Sequence, residues 1–208
     1  GGFTAGIEGV THTSLEDLGI IRCIPNVVLI NPADAVATRK AVRAAALHHG
    51  PVYIRVGRDA SPLMFSMDSY KLEIGKANVL EDDGEAVAIV ASGFQLYETM
   101  EAFRRLKAGG VRAKLIDAPV LKPLAKDTIL AAARKTRAIV TVEEHYFTGG
   151  LGSAVAETTA REFPAHLEQV AVEDAYTESG YPQELRETYG LTVDAIVAAV
   201  HRVMKRRG

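Results

Sequence analysis

The chain has 208 residues, of which 48% are hydrophobic and 24% are charged, an ordinary globular composition with enough apolar side chains for a core. Its 24 basic and 26 acidic residues give a formal net charge of -2, so it lacks the surplus of Lys and Arg that nucleic-acid binding requires. No apolar run approaches the ~18 residues of a membrane span. We therefore expect no nucleic-acid partner and no membrane partner.

The first part of the chain predicts one strand-helix-strand unit, the building block of parallel sheets. Its elements are, in order, a Gly- and Thr-rich loop at residues 1–13, a short helix from Ser14 to Ile21, a strand at 27–30, a helix from Asp34 to about His49 and a strand at 52–56. Ser14 and Asp34 are placed as N-caps. A glycine-rich loop normally connects two elements, so we expect the natural protein to extend upstream of Gly1.

The single cysteine, Cys23, rules out a disulfide within the chain. A reducing compartment fits this composition, and we predict a cytoplasmic location. We expect Cys23 to be a small core residue and not a nucleophile.

A polar, irregular stretch at residues 57–75 is typical of a connection between domains. We place a domain boundary near residue 68, which divides the chain into residues 1–67 and 68–208.

The second part alternates strands with helices, which predicts an α/β domain with a mostly parallel sheet. The predicted strands are at 86–91, 111–116, 138–142 and 167–172, and the predicted helices are at 93–108, 128–136, 152–163, 182–189 and from the cap Thr192 onward. Two apolar stripes, from Phe94 to Leu106 and from Val193 to Val203, suit a core or an interface equally.

The loop from Gly6 to Asp17 is the first candidate for chemistry. Glu8 and His12 lie four residues apart on a glycine-rich segment, and such side chains move protons or hold hydroxyl groups near neutral pH. From the residues alone, a solvated loop histidine is the more common interpretation.

Two other patterns favour structure over chemistry. Gly150-Leu151-Gly152 lacks the third small residue of a dinucleotide fingerprint, so tight strand-to-helix packing is the better interpretation. Glu143-Glu144-His145 are consecutive at a strand exit, so the three side chains cannot all face one metal ion.

Several motifs, in a constant order over nearly the whole chain, resemble the transketolase family, and especially the C-terminal subunit of transketolases that are split over two polypeptides. The motifs are Glu8-Gly9-Val10-Thr11-His12, Ile24-Pro25-Asn26 with Asn31-Pro32-Ala33-Asp34, Gly50 to Arg58, Val142 to His145, Gly149 to Glu157 and Tyr189-Gly190-Leu191-Thr192. The resemblance implies that residues 1–67 are the back half of the pyrimidine-binding domain and that residues 68–208 are the C-terminal domain.

The resemblance also implies roles for three residues in the transfer of a two-carbon ketol unit between sugar phosphates. His12 matches the family's substrate-channel histidine and is the catalytic candidate. Glu8 stands where many members have an aspartate that contacts a donor hydroxyl, and Arg58 matches an arginine that holds the sugar phosphate. Thr13 replaces the common glutamine, and Arg55, inside the strand, suits structural pairing.

The family binds thiamine diphosphate and Mg²⁺, and the resemblance places the residues that hold them outside this chain. We therefore expect no cofactor-binding or metal-binding residue here and no activity of the chain alone. The implied partner is an N-terminal transketolase part or subunit, in a homodimer or heterotetramer. The alternatives are a sibling thiamine enzyme, either deoxyxylulose-phosphate synthase or the β part of a 2-oxoacid dehydrogenase, and a non-catalytic module for dimer assembly.

Overall fold

The computed structural model describes residues 1–208 as two sheets surrounded by helices. A 3₁₀ helix at Gly2–Glu8 precedes the helices α1 Asp17–Cys23, α2 Ala35–Leu47, α3 Leu96–Ala108, α4 Lys126–Thr136, α5 Leu151–Glu162, α6 Pro182–Thr188 and α7 Val193–Arg207. The strands are β1 Val28–Ile30, β2 Val52–Ile54, β3 Asn78–Asp82, β4 Val87–Ala91, β5 Ala113–Asp117, β6 Val120–Lys122, β7 Ala138–Tyr146 and β8 His166–Val172.

The larger sheet has the strand order β3-β5-β4-β7-β8 and is parallel except for β3 at its edge. Alternate residues of β4 point to opposite faces of this sheet. Val87, Ile89 and Ala91 pack in the cluster that contains α3 and α7, whereas Ala88 and Val90 pack in the cluster that contains α4 and α5. The predicted α/β class with a mostly parallel sheet is confirmed.

The smaller sheet joins the two parts of the chain. β1 pairs in parallel with β2 and antiparallel with β6, a short strand that lies far along the second part. The sequence pattern predicts neither β3 nor β6, because β6 has only three residues and β3 is a partly exposed edge strand with the polar residues Asn78, Glu81 and Asp82. The domain boundary near residue 68 stays a prediction, and residues 55–77 contain neither helix nor strand.

The first helix begins three residues later than predicted. The Ser14 carbonyl accepts hydrogen bonds from the Gly2 amide at 2.9 Å and from Arg55 Nη2 at 2.6 Å, and Tyr146 N donates to the Leu15 carbonyl at 3.1 Å. These carbonyls are therefore not available to start a helix, which begins at Asp17. Asp34 is the N-cap of α2 as predicted, since its Oδ1 accepts from Ala37 N at 2.8 Å.

The prediction that Cys23 is a core residue is wrong. Cys23 ends α1 and is exposed, with its Sγ donating to the Gly19 carbonyl at 3.4 Å. The buried side chain of this short helix is Leu18, and a residue five positions later lies about 140° further round the helix. No helix combines the length and the apolar composition of a membrane crossing.

Candidate functional site

The loop that carries the candidate residues lies at the carboxyl ends of strands from both sheets. Tyr146, at the end of β7, donates its amide to Leu15, and the segment after β8 contacts Gly6 through the bond from Gly180 N to the Gly6 carbonyl at 3.1 Å. Phe3 and Leu15 are buried in the core of the larger sheet. Ligands of α/β proteins bind at the carboxyl ends of strands, so this position suits a binding site.

A tight turn presents His12 to solvent. The Gly9 carbonyl accepts from His12 N at 2.9 Å and from Thr13 N at 3.2 Å. Gly9 has a φ of 81°, a backbone conformation that disfavours any side chain, and a Cβ at this position would lie 2.8 Å from Ser179 Oγ, which would have to move. The His12 ring is exposed, and its Nδ1 lies 2.9 Å from Thr11 Oγ1.

Glu8 and Arg58 meet in an ion pair between Glu8 Oε1 and Arg58 Nη1. The Arg58 side chain is 61% exposed and that of Glu8 is 34% exposed, so the pair is accessible to a ligand. Arg58 N donates to Thr4 Oγ1 at 2.9 Å, which ties the segment after β2 to the 3₁₀ helix. Two of the three predicted substrate residues are thus in contact, and His12 follows on the same loop without a hydrogen bond to either.

Arg55 has the structural pairing that its position predicts. It is buried, its Nε lies 3.2 Å from Asp17 Oδ2, and its Nη2 bonds the Ser14 carbonyl. Its positive charge also opposes the rise that burial causes in the pKa of Glu144.

The three consecutive polar residues of β7 are all buried, and each has a different partner. Both carboxylate oxygens of Glu143 accept amides at the start of α5, from Leu151 at 2.6 Å and Gly152 at 2.8 Å. Glu144 lies 4.0 Å from Arg186, and His145 Nε2 accepts from Gly19 N at 3.1 Å while Nδ1 bonds the Tyr146 carbonyl.

The glycines around α5 serve tight packing, as predicted. A Cβ at Gly150 would lie 2.0 Å from Glu143 Oε2, and one at Gly152 would lie 1.9 Å from Gln169 Oε1. The buried Glu143 carboxylate, which caps α5, therefore requires the glycine at position 150.

Sequence reasoning did not find the contact between Thr13 and Thr177. Their hydroxyl oxygens lie 3.3 Å apart in a buried environment, across 164 residues of sequence. No local pattern signals such a contact, because only the fold brings the two segments together.

The residues of this chain do not form a metal site of their own, since no group of three His, Cys, Asp or Glu side chains is placed to hold an ion.

Residues 1–63 match the family description "Transketolase, pyrimidine binding domain", and residues 75–196 match "Transketolase, C-terminal domain". The chain belongs to the transketolase family. A solved structure described as a split gene transketolase, an inactive beta4 tetramer, aligns with a TM-score of 0.87 and 42% identity, over 94% of this chain and 63% of that one.

Two relatives agree with this assignment to the transketolase family. An uncharacterized transketolase family protein of Sinorhizobium fredii is 39% identical over 202 residues, covering 96% of this chain and 58% of the relative. A 6-deoxy-6-sulfo-D-fructose transketolase subunit of a Clostridium species is 36% identical over 206 residues, covering 99% of this chain and 63% of the relative. The chain thus spans about three fifths of the length of these relatives.

Proposed function

We propose that this chain is the C-terminal part of a thiamine-diphosphate-dependent transketolase that transfers a two-carbon ketol unit between sugar phosphates. In this proposal the chain supplies substrate-facing residues: Glu8 holds a donor hydroxyl, His12 contacts and polarises substrate oxygens, and Arg58 binds the terminal phosphate. The chain acts in the cytoplasm, assembled as a homodimer or heterotetramer with an N-terminal transketolase part or subunit.

The observation that carries the proposal is the accessible ion pair of Glu8 and Arg58 beside the His12 turn. A guanidinium group offers two parallel charge-assisted hydrogen bonds to a phosphate. Because an exposed ion pair contributes only about 0–1 kcal/mol, a doubly charged phosphate can replace the Glu8 carboxylate as the partner of Arg58 at little cost. The relative named for a sulfonated fructose acts, by that name, on a sugar with a terminal anion of similar shape.

His12 suits contact with substrate oxygens because nothing covers its ring. With Thr11 Oγ1 as the partner of Nδ1, the Nε2 atom is left for a substrate hydroxyl or carbonyl. Imidazole exchanges protons near neutral pH, which fits polarisation of a sugar oxygen. Thiamine diphosphate, when bound, supplies the carbanion chemistry, and the protein contributes placement and electrostatics.

The Arg58→Ala variant of the complete protein tests the proposal. We expect the Michaelis constant for a phosphorylated donor to rise about tenfold to a hundredfold, the cost of losing hydrogen bonds to a charged group. Turnover at saturation should change less, because phosphate is bound alike in the ground and transition states. Unphosphorylated hydroxypyruvate should hardly respond.

The matched control is Arg104→Ala, which removes an arginine of similar exposure, 62%, that also pairs with a glutamate. An equal loss for both donors in Arg58→Ala would contradict phosphate binding and would indicate a structural role. Absence of ketol transfer by the unmodified complete protein, with all phosphorylated ketoses supplied as donors, would overturn the proposed function itself.

A further inference from the structure

The segment at residues 173–181, between β8 and α6, follows the His12 loop at three points. Gly180 N bonds the Gly6 carbonyl, Ser179 packs directly against Gly9, and Thr177 Oγ1 bonds Thr13 Oγ1. All three contacts join the second part of the chain to the loop that carries Glu8 and His12. The C-terminal domain therefore touches the candidate site although it places no candidate residue in it.

The contact between Thr13 and Thr177 is the only one of the three made by two side chains. Thr13 is 2% exposed and Thr177 is 7% exposed, and the Thr13 hydroxyl has no other hydrogen-bond partner. A buried hydroxyl without a partner is costly, so this bond favours the observed conformation of the loop. His12, the neighbour of Thr13, is exposed by contrast.

The same bond restricts the turn that presents His12. His12 N and Thr13 N both donate to the Gly9 carbonyl, so the position of Thr13 also sets the position of His12. The far end of the loop is held separately, by burial of Leu15 and by the bond from Tyr146 N to its carbonyl. Thr177 thus acts on the part of the loop that these contacts leave free.

We propose that Thr177 is a positioning residue for the reaction: its hydroxyl group, bonded to Thr13, holds the turn at residues 9–13 so that His12 faces the substrate. The C-terminal domain then affects turnover by limiting the conformational freedom of this turn, without touching substrate or cofactor. The inference rests on the proposed role of His12.

The test compares Thr177→Val with Thr177→Ser in the complete protein. Valine keeps the branched shape and removes the hydroxyl, whereas serine keeps the hydroxyl. In Thr177→Val, we expect amide hydrogen exchange in a peptide spanning residues 6–15 to be about 2- to 10-fold faster, as expected from the loss of one hydrogen bond. Turnover should fall by a similar factor at unchanged thiamine affinity, and the melting temperature should fall as well, because the buried Thr13 hydroxyl loses its partner. Thr177→Ser should restore the exchange rate and the turnover.

Hydrogen exchange needs no activity, so it separates this inference from the proposed function. Unchanged exchange in Thr177→Val overturns the inference, and so does faster exchange with undiminished turnover. Thr13→Val should reproduce the effects of Thr177→Val, and the double variant should be no worse than either single one. Additive effects would show that the two hydroxyls do not act as a pair, which would also overturn it.

Discussion

At the scale of single residues, the candidate site depends on contacts that sequence spacing does not predict. The Glu8 side chain reaches Arg58 on the segment after β2. Thr13 is buried, and its hydroxyl contacts that of Thr177. Glu8 therefore lies at the accessible surface of the loop, whereas Thr13 lies on its buried side.

The role of His12 is tested by His12→Ala in the complete protein. We expect turnover to fall about 10²- to 10⁴-fold, the usual range for groups that move protons or polarise the substrate. Thiamine affinity should stay the same, because the proposal places His12 on the substrate side. Steady-state rates together with a thiamine binding curve measure both. His49→Ala, another exposed histidine, is the control, and unchanged turnover in His12→Ala would mean that His12 is only a solvated loop residue.

At the scale of elements, β7 runs four residues beyond its predicted end. The pattern Glu143-Glu144-His145 predicts a strand exit, but the three residues lie inside β7 and all three side chains are buried. A different element offsets the cost of burying each side chain. Glu143 accepts from the start of α5, Glu144 lies near Arg186 of α6, and His145 accepts from the backbone of α1. Buried charged groups are tolerated when they are paired or hydrogen-bonded, and these partners come from distant parts of the sequence.

Two buried carboxylates hold the connection at residues 55–77 in place, one at the start of α2 and one at the end of β5. Asp34 Oδ2 accepts from Met64 N and Phe65 N, each at 2.9 Å. Asp117, at the end of β5, accepts from the Tyr70 hydroxyl at 2.7 Å and from Asn78 at 3.1 Å. Burial raises the pKa of Asp117 from 3.8 to about 6, despite these bonds, and the negative charge of Asp34 adds to the rise.

This raised pKa predicts that Asp117 contributes less to the stability of the protein as the pH rises. The folded state holds the Asp117 proton more tightly than the unfolded state, so the contribution of Asp117 to the free energy of unfolding is present in full below about pH 4, decreases as the pH rises to about 6 and is lost above that value. The size of the effect is roughly 3 kcal/mol from a shift of about two pKa units. Asp117→Asn should flatten this slope, as measured by urea unfolding between pH 4 and 8.

The matched control for Asp117→Asn is Asp68→Asn, an exposed aspartate of the same connection, which should leave the slope unchanged. Burial also raises the pKa of Glu143 and of Glu144, so part of the slope remains in every variant. A pH dependence in Asp117→Asn that equals that of the unmodified protein would contradict the prediction.

At the scale of the whole molecule, the two parts of the chain contribute strands to one common sheet and also pack against each other. β6 of the second part completes the sheet that contains β1, and Phe3 stacks on Tyr189 with ring centroids 5.5 Å apart. The apolar stripes of α3 and α7 lie mainly in the core, with Phe103, Leu106, Ile196, Val200 and Val203 buried. Tyr97 of the α3 stripe is exposed, because residues at steps of three drift around a helix with 3.6 residues per turn.

The isolated chain should fold and should not bind thiamine diphosphate. Its largest hydrophobic core cluster contains 23 buried residues, whereas the family resemblance assigns the residues that hold the diphosphate and its metal to another part. Calorimetric titration of the pure chain with thiamine diphosphate and Mg²⁺ measures the binding, and the complete protein under the same conditions is the positive control. Micromolar binding to the isolated chain would contradict the assignment of the cofactor residues.

The sequence by itself determined the fold class, most helices and parallel strands, and the N-caps Asp34 and Thr192, whose side chains bond Ala37 N and Ala195 N as expected. These features depend on local periodicity and capping, which neighbouring residues specify. The motifs also identified the family. Only the tertiary structure decided the pairing of β6 with β1, the burial of the β7 acids, the exposure of Cys23 and the contacts of Glu8 with Arg58 and Thr13 with Thr177. These features depend on which distant segments meet, and a polar side chain is buried only where such a segment brings it a partner.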